Sequence, residues 1–553
     1  MTARRLAIGI LFLTLLFDVW WRGHTIAGTI RDKFGFAPWP VVAEAEPLDC
    51  DEAIYGYIGK RITRGDVMYR DLTENKPPLG YWLFALAVAI GGANETCIRV
   101  MPLPMVLLTI VMVWSIAYRV SGPLAASLAA PVYALMSTDP YLYGNGANME
   151  HALNLFGTAA LWVVVRSWSR SSHRAWWIAG ALVGAASLVK QVAVLPIVLL
   201  TLALMLRSSS DDRRRSISTR LVDVASLFAG FAMAWAVAMG VLLIQGAGAA
   251  AYEDIVRYGG AMATDTPADP LQYSFFVRGI VGNTDPQGIL PWPFGKTQGR
   301  AWWAAGCWPL WGVSLVATGW AVASRRSLLR LAGWWTIAAW VEVAMPRLFW
   351  QHYYLVPLPG VAIVVGSLFG SAAGGRRPRD LMIAIVVLIA TASTIVIQVR
   401  DYLLVKPGDV TTRIKGGGQW VVLREVGREL KRRTRTWDVP HLTVWGIQSP
   451  VMFYSGLDGT TRQVFTDPLI AAFPNGGHPQ VDPRLDRTLA DLRGRRPELI
   501  FLGARPFPAL AKLLREGYVN VPFAIRGWVL PSRPLWVRRD RVEAFAQTEG
   551  EPR

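Results

Sequence analysis

The chain alternates between long apolar runs and short polar joints rich in arginine. Apolar runs of roughly 16–25 residues, the length that crosses a bilayer as helix, recur from Leu6 to Ile397. A water-soluble chain would not repeat such runs, so the pattern predicts a polytopic α-helical membrane protein. Leu6–Trp21 follows Arg4 and Arg5 as a signal peptide would, but Trp21-Arg22-Gly23-His24 is no small-residue cleavage site, and a retained first span is expected. Leu79–Ile90 is too short for a full crossing and reads as a re-entrant or interfacial helix. With the N terminus inside, ten further runs follow: Ile98–Tyr118, Leu124–Tyr141, His151–Val165, Trp176–Leu188, Val192–Leu206, Leu221–Ile244, Ala301–Ala323, Leu331–Met345, Tyr354–Phe369 and Leu381–Ile397. They bring the total to about 11 spans and place every Arg-rich short joint inside, as the positive-inside rule asks.

This topology predicts a membrane domain over 1–398, with a first outer loop over 22–97 and a long outer loop over 245–300. The polar tail, 399–553, falls on the outer side. Trp420–Arg433 has helical periodicity, with Val421, Val422 and Val426 on its apolar side. His441–Trp445 and Glu498–Leu502 read as short buried strands, Leu510–Glu516 as helix and Gly527–Arg538 as a hairpin. The tail is therefore expected to be a small extracytoplasmic α/β domain. Gly416-Gly417-Gly418 reads as a linker, since no strand leads into it and no Lys-Ser/Thr follows.

Composition changes this picture little. The chain is 52% hydrophobic and 17% charged, with 25 Trp, as a membrane protein should be. Its formal net charge of +18 would suggest nucleic acid in a soluble protein, but arginine clusters in the short joints between spans set topology instead, and no nucleic-acid partner is expected. Three cysteines without a CxxC indicate neither a zinc site nor a disulfide framework, although Cys50 and Cys97 share the outer side and a pairing between them stays open.

The candidate chemistry gathers just after the first span, in LDCDEAIYGYIGKRITRGDVMYRDLTENKPPLGYW, Leu48 to Trp82. Asp49, Asp51 and Glu52 crowd three carboxylates into four residues, which raises the pKa of one unless a cation lies near and suits a general base. The same acids would also favour the N-terminus of a helix over Ala53–Ile62. Lys76, stiffened by Pro77-Pro78, puts a cation at the outer interface, suited to a lipid phosphate or simply to snorkelling. Arg99 and Lys190 lie at outer span ends, where orientation rules disfavour cations, and phosphate binding is the plainest reason for them. Glu150 opens a span beside His151, with Asn145 and Asn148 nearby, as a second catalytic or metal-orienting carboxylate or as a cap. Arg347 and His352, with Tyr353 and Tyr354, offer a cation, an imidazole and hydroxyls on the same face, where an aromatic belt explains only the tyrosines and Trp350. There is no GxGxxG, Walker A or His-Glu-x-x-His motif, so a cytosolic nucleotide-sugar donor is not expected.

In these features the chain resembles the GT-C superfamily of integral-membrane glycosyltransferases, and within it the dolichyl-phosphate-mannose protein mannosyltransferase and aminoarabinose lipid A transferase group. The likeness rests on Asp51-Glu52 in the first outer loop, KPPLGYW from Lys76 to Trp82, Arg99 in IRVMP, Glu150 opening a span, and PRLFWQHYYLVPLPG from Pro346 to Gly360. It implies inverting transfer from a polyprenyl-phosphate sugar in a bacterial inner membrane, to a lipid, glycan or protein acceptor, with membrane lipids as surroundings. By the resemblance Asp51 is the acceptor-activating base with Glu52 beside it, and Lys76 and Arg99, with Lys190, Arg347 and His352, neutralise the departing phosphate. Glu150 orients the acceptor or a divalent ion, and Asp49, Tyr55 and Tyr353 complete the acceptor side. Asp49 is an additional acid that leaves open which carboxylate is the base. No cofactor is assigned, and a divalent metal stays open because metal dependence varies within the superfamily. Two other classes compete: a transporter or flippase of lipid-linked sugars, which should show mid-span charges and internal repeats, and a non-catalytic envelope assembly protein, which would not need the Asp51–Lys76 constellation.

Overall fold

The computed structural model describes residues 3–34, 46–169, 172–206, 216–259, 306–346, 350–415, 419–464, 483–504, 506–525, 528–529 and 534–548. Most of the expected long outer loop, the linker glycines and Arg347 lie outside these residues.

Ten helices carry the chain to Ile244: α1 Ala3–Phe34, α2 Cys50–Thr63, α3 Pro78–Gly91, α4 Glu95–Val100, α5 Pro102–Ser121, α6 Pro123–Ser137, α7 Glu150–Ser167, α8 His173–Val189, α9 Leu195–Met205 and α10 Ile217–Ile244. Helices over Trp308–Val322, Ser327–Ala344, Leu358–Ala373 and Pro378–Gln398 complete the bundle. Among the described residues five segments are long and apolar enough to cross a membrane: Ala3–Gly23, Glu95–Ser121, Ile217–Ile244, Gln351–Ala373 and Pro378–Leu403. The others are shorter and pack among these. The protein is thus a multi-helix membrane protein with a smaller α/β unit at its C-terminal end.

The bundle is built around α6, whose small residues bury almost its whole circumference. It packs on α1, α5 and the Leu358–Ala373 helix, which is itself buried along nearly all its length. Gly366 and Gly370 are the reason the latter pair approaches so closely: a Cβ on Gly370 would lie 2.6 Å from the backbone nitrogen of Ala125. Lipid tails give no hydrophobic drive between helices, so such close van der Waals contact is what holds them together. Helices α8 and α10 use the same device at Gly180, Gly184 and Gly230. The opposite side of α10 is apolar and exposed, with Leu221, Val237 and Ile244 among its outward residues.

Helix α3 is one of the shorter apolar helices. Its 14 residues reach about 21 Å against a hydrocarbon core of about 30 Å. Pro78 stands at its first turn, where a missing N–H costs nothing. The helix lies against α2 and α8.

In the tail, a helix over Gln419–Arg433 precedes strand β1 Leu442–Trp445 and a helix over Ser449–Ser455. A helix over Pro483–Arg495, β2 Leu499–Leu502 and a helix over Pro508–Gly517 follow, then β3 Tyr518–Asn520, β4 Ala524–Ile525, β5 Trp528–Val529 and β6 Leu535–Arg538. The main sheet has the order β1-β2-β6-β3, with β1 and β2 parallel and β6 antiparallel to both its neighbours. The expected hairpin over Gly527–Arg538 is not made. Trp528–Val529 pairs back with β4, while Leu535–Arg538 leaves to fill the gap between β2 and β3, where Leu535 and Val537 become fully buried. Central burial outweighs a local turn.

Alternation along the strands sorts the sheet's two faces. Leu442, Val444, Leu499, Phe501, Leu535 and Val537 join the main core shared with the membrane helices, together with Val426 and Leu430. Trp445 and Ile500 point the other way, into a separate core made with Leu485, Leu489, Leu492, Leu510 and Leu514. The tail is therefore three layers deep: the 419–433 and 449–455 helices toward the membrane domain, the sheet, and the 483–495 and 508–517 helices outermost.

A methyl group on Gly180 would overlap the Leu227 carbonyl oxygen, and one on Gly230 that of Trp177. Gly180→Ala and Gly230→Ala are each expected to lower the melting temperature of the detergent-purified protein by several degrees, as overpacking does. Gly240→Ala, which meets nothing, should leave it unchanged.

Candidate active site

The site begins with the way α2 starts. Asp49 is its N-cap, in extended backbone geometry, and its Oδ1 accepts the Glu52 amide at 3.0 Å while Glu52 Oε2 accepts the Asp49 amide at 3.1 Å. This reciprocal capping box consumes two of the three crowded carboxylates. Helical phase then separates Asp51 from Glu52 by about 100°, so they face different surroundings.

Glu52 turns inward. Its Oε2 is 2.8 Å from Arg99 Nη2, and its Oε1 accepts the Ala147 amide at 2.6 Å. Arg99 also meets Glu46 at 3.3 Å and donates to the Pro47 carbonyl at 2.8 Å. Glu46 in turn receives Asn145 at 2.7 Å, Lys415 at 2.8 Å and Thr411 at 3.1 Å. Glu46, Glu52, Arg99 and Lys415 are all buried. Burial penalises ionisation of Glu46, but Lys415 and Arg99 outweigh it and hold its carboxyl below the usual range. The network ties together the start of α2, α4, the loop before α7 and the helix over Pro407–Ile414.

Asp51 turns to the other side, and its side chain is one-third exposed. Tyr55, one turn on, donates to its Oδ2 at 3.0 Å. His352 Nε2 lies 3.6 Å from the same oxygen and 3.9 Å from Glu150 Oε1. Glu150, buried at the first turn of α7, is ion-paired with Lys190. Lys190 caps the C-terminal end of α8, where the chain turns extended, and its Nζ sits 4.6 Å from the Tyr353 ring centroid. Lys76 Nζ lies 5.3 Å from the Tyr55 ring centroid and 3.7 Å from Glu74 Oε1, and Tyr69 fixes the backbone there by donating to the Lys76 carbonyl at 2.7 Å. Burial opposes ionisation of Asp51, yet His352, Lys76 and Lys190 together bring its pKa below the ordinary value. Burial likewise opposes the charge on Lys76, but Glu74, Asp51 and Glu150 outweigh it and raise its pKa.

The structure thus brings Asp51, Tyr55, Lys76, Glu150, Lys190, His352 and Tyr353 into one cluster of contacting side chains. It places Asp49, Glu52 and Arg99 in the buried network behind it. Arg347 lies outside the described residues. Cys50 and Cys97 are not joined in a disulfide, and their thiols donate to different carbonyls, Ile447 and Ala87. Among the described residues no group of three or more His, Cys, Asp or Glu side chains is placed to hold a metal ion.

Several participants escaped the sequence reading. Arg22, paired with Asp18 at 3.1 Å inside the first span, donates to the Gly144 and Ser137 carbonyls at 2.8 Å and so shapes the loop that carries Ala147 toward Glu52. Asp18 and Arg22, four apart in an otherwise apolar run, were the signal. Glu46 and Lys415 gave none, being 369 positions apart in the chain.

Burial, followed by the neighbouring Glu52, pushes Asp49 up to about 8. A carboxyl kept protonated in the folded state but ionised when unfolded loses stability as pH rises from the ordinary aspartate range, about 4, toward 8. The melting temperature should therefore fall across this window in the wild type. The slope should be shallower in Asp49→Asn, which keeps a capping side chain; an unchanged slope would show that Asp49 is ionised in the fold.

Comparison with known proteins agrees with this architecture. The family model described as dolichyl-phosphate-mannose-protein mannosyltransferase matches residues 75–239, from Lys76's own turn through α7 and α8 into α10. No curated protein matches the chain. The crystal structure of ArnT from Cupriavidus metallidurans bound to undecaprenyl phosphate superposes with a TM-score of 0.55 at 15% identity, covering 98% of this chain and 99% of that one. Its apo state gives 0.52 at 14% identity, covering 92% and 95%. The Archaeoglobus fulgidus oligosaccharyltransferase tethered with an acceptor peptide gives 0.50 at 13% identity, covering 89% of this chain and 68% of the archaeal one. In its apo form the matched share of the archaeal chain is 64%. End to end, then, the chain carries the fold of the ArnT structures.

Proposed function

We propose that the chain is a glycosyltransferase that moves a sugar, with inversion, from a polyprenyl-phosphate donor to an acceptor on the extracytoplasmic side of a bacterial inner membrane. The observation that carries this reading is the cluster around Asp51: one partly exposed carboxylate whose charge is held by His352, Lys76 and Lys190. A transporter would place such groups along a path through mid-span; here they converge where α2, α7 and α8 begin or end. The solved ArnT structure with undecaprenyl phosphate supports a lipid-phosphate ligand for this fold.

In the reaction, Asp51 accepts the proton of the acceptor hydroxyl as its oxygen bonds to the anomeric carbon. The bond from that carbon to the phosphate oxygen breaks, and the electron pair leaves with the lipid phosphate. Lys76 stands ready to take the new negative charge, and Lys190, relayed by Glu150 and His352, supplies a second cation. Charge stabilisation of this kind is commonly the largest contribution to rate. Tyr55 orients the base, and Tyr353 packs Lys190 in place. Glu52 and Arg99 act at one remove, by fixing the start of α2. A base already ionised at neutral pH is a weaker proton acceptor but is always in the correct state, which places more of the burden on leaving-group stabilisation.

The test is label transfer from a panel of radiolabelled polyprenyl-phosphate sugars by the purified protein. Asp51→Asn should cut kcat by about 10²–10⁴-fold and Lys76→Ala by about 10²–10³-fold, with melting temperatures unchanged. Variants that transfer like the wild type would defeat the site assignment. For the wild type, kcat/KM should hold as pH is lowered and fall only below about 4, the ordinary aspartate value; an acid limb centred near 6 would point to a different base.

A further inference from the structure

One helical turn from the transfer cluster the bundle holds a small cavity whose polar lining neither the fold nor the reaction uses. Asn154 lies four residues after Glu150, Val356 four after His352 and Ala186 four before Lys190, and all three line it. Thr158, a further turn along α7, and Trp335 and Glu342, on the helix over Ser327–Ala344, line it too. The cavity measures about 20 Å³, room for a single water-sized occupant.

Two of its groups lack the partners that burial demands. Glu342 is 4% exposed. Among the described residues it has no hydrogen bond and no ion pair, and no charged group lies close enough to act on it. A lone carboxylate inside a helical bundle is costly, and an ionisable residue so placed marks a candidate site. Lys190, on the neighbouring turn, is already ion-paired with Glu150. Thr158 is the second group. Thr109, Thr201, Thr336, Thr391 and Thr394 each donate to the carbonyl four residues back, at 2.7–2.9 Å. Thr158 does not, and its buried Oγ1 has no partner among the described residues. Asn154, anchored by donating to the Leu355 carbonyl at 2.8 Å, adds a third polar group to the lining.

The lining selects the occupant. Its volume excludes a sugar, a phosphate or an organic cation. One carboxylate balances one positive charge, whereas a divalent ion would keep an uncompensated charge away from water. Carboxylate, hydroxyl and amide offer oxygen, which suits a hard ion and not a transition metal that seeks nitrogen or sulfur. A proton would neutralise Glu342 but leave the Thr158 hydroxyl unserved. We propose that the cavity binds one alkali cation, sodium by its size, held by Glu342 and Thr158. The inference does not rest on the transfer reaction, and its test needs no turnover.

The experiment follows the melting temperature of the full-length protein in detergent as sodium chloride replaces choline chloride at constant ionic strength. A ligand held only by the folded state stabilises it in proportion to the logarithm of its concentration above Kd. The wild type should therefore gain several degrees in sodium. Glu342→Gln, of nearly the same shape, should lose that gain. Thr158→Val, which keeps the carboxyl and so keeps the proposal testable if Glu342→Gln does not fold, should weaken the apparent sodium affinity by roughly fivefold, the worth of one hydrogen bond. Asp409→Asn, which alters an exposed carboxylate on the Pro407–Ile414 helix, should keep the full gain. Equal wild-type melting temperatures in sodium and choline would overturn the proposal and leave Glu342 to a proton. So would a gain that survives unchanged in Glu342→Gln or Thr158→Val, or one that Asp409→Asn loses equally.

Discussion

A single carboxylate, that of Glu52, is the point on which the rest of the site depends. It receives the Asp49 amide, the Ala147 amide and the Arg99 guanidinium at once. Those bonds join the first turn of α2, the loop ahead of α7 and the short helix α4. An unpaired carboxylate at this depth would be costly, and so would an unpaired Arg99. Each charge is tolerable only while all three segments stay together. Once they are, α2 starts at a fixed angle to α7, and Asp51 and Glu150 join one cluster.

From that constraint follows a division of labour between charges of the same sequence cluster. Asp49 and Glu52 serve the backbone, whereas Asp51 serves the cluster. The distinction comes from helix geometry: adjacent residues on a helix diverge by a quarter-turn or more, so a crowded acidic run is read by the fold as separate environments. Cations are divided in the same way. Arg99 is enclosed by Glu46 and Glu52, while Lys76 and Lys190 reach the cluster and rest on the rings of Tyr55 and Tyr353. The same network reaches Lys415, which couples the cluster's scaffold to the point where the chain leaves the bundle for its tail.

The tail is not an appendage. Its inner sheet face and the Gln419–Arg433 helix share one apolar core with α2 and the helices below, and Lys60 on α2 meets Asp458 at 2.8 Å and the Gly456 carbonyl at 2.5 Å. Helix α2 is thus clamped between the bundle and the tail, so the shape of the cluster depends on both. The outer layer has its own core, and its Arg484 lies 4.0 Å over the ring of Tyr258 beyond α10.

Much of this was legible in the sequence. Apolar runs define the helices because hydrophobic length and period are local properties, and the shortness of α3 follows from counting residues. The acids at 49–52 and the Lys76-Pro77-Pro78 turn announce a site because their spacing is short. The alternating tail strands are visible for the same reason, whereas the partner of β6 is not: a strand's neighbour is chosen by burial across the whole sheet, and a hairpin is only the nearest option. What tertiary structure alone decided is which charge meets which. Arg99 reads as a phosphate ligand until Glu46 and Glu52 enclose it; Glu46 and Lys415 carry no signal until the fold closes the long gap between them; and Asp51 is distinguished from Asp49 and Glu52 only when each carboxylate has its surroundings. Ion pairing and desolvation act over a few ångströms of space with no regard for chain separation, and so no local pattern can encode them.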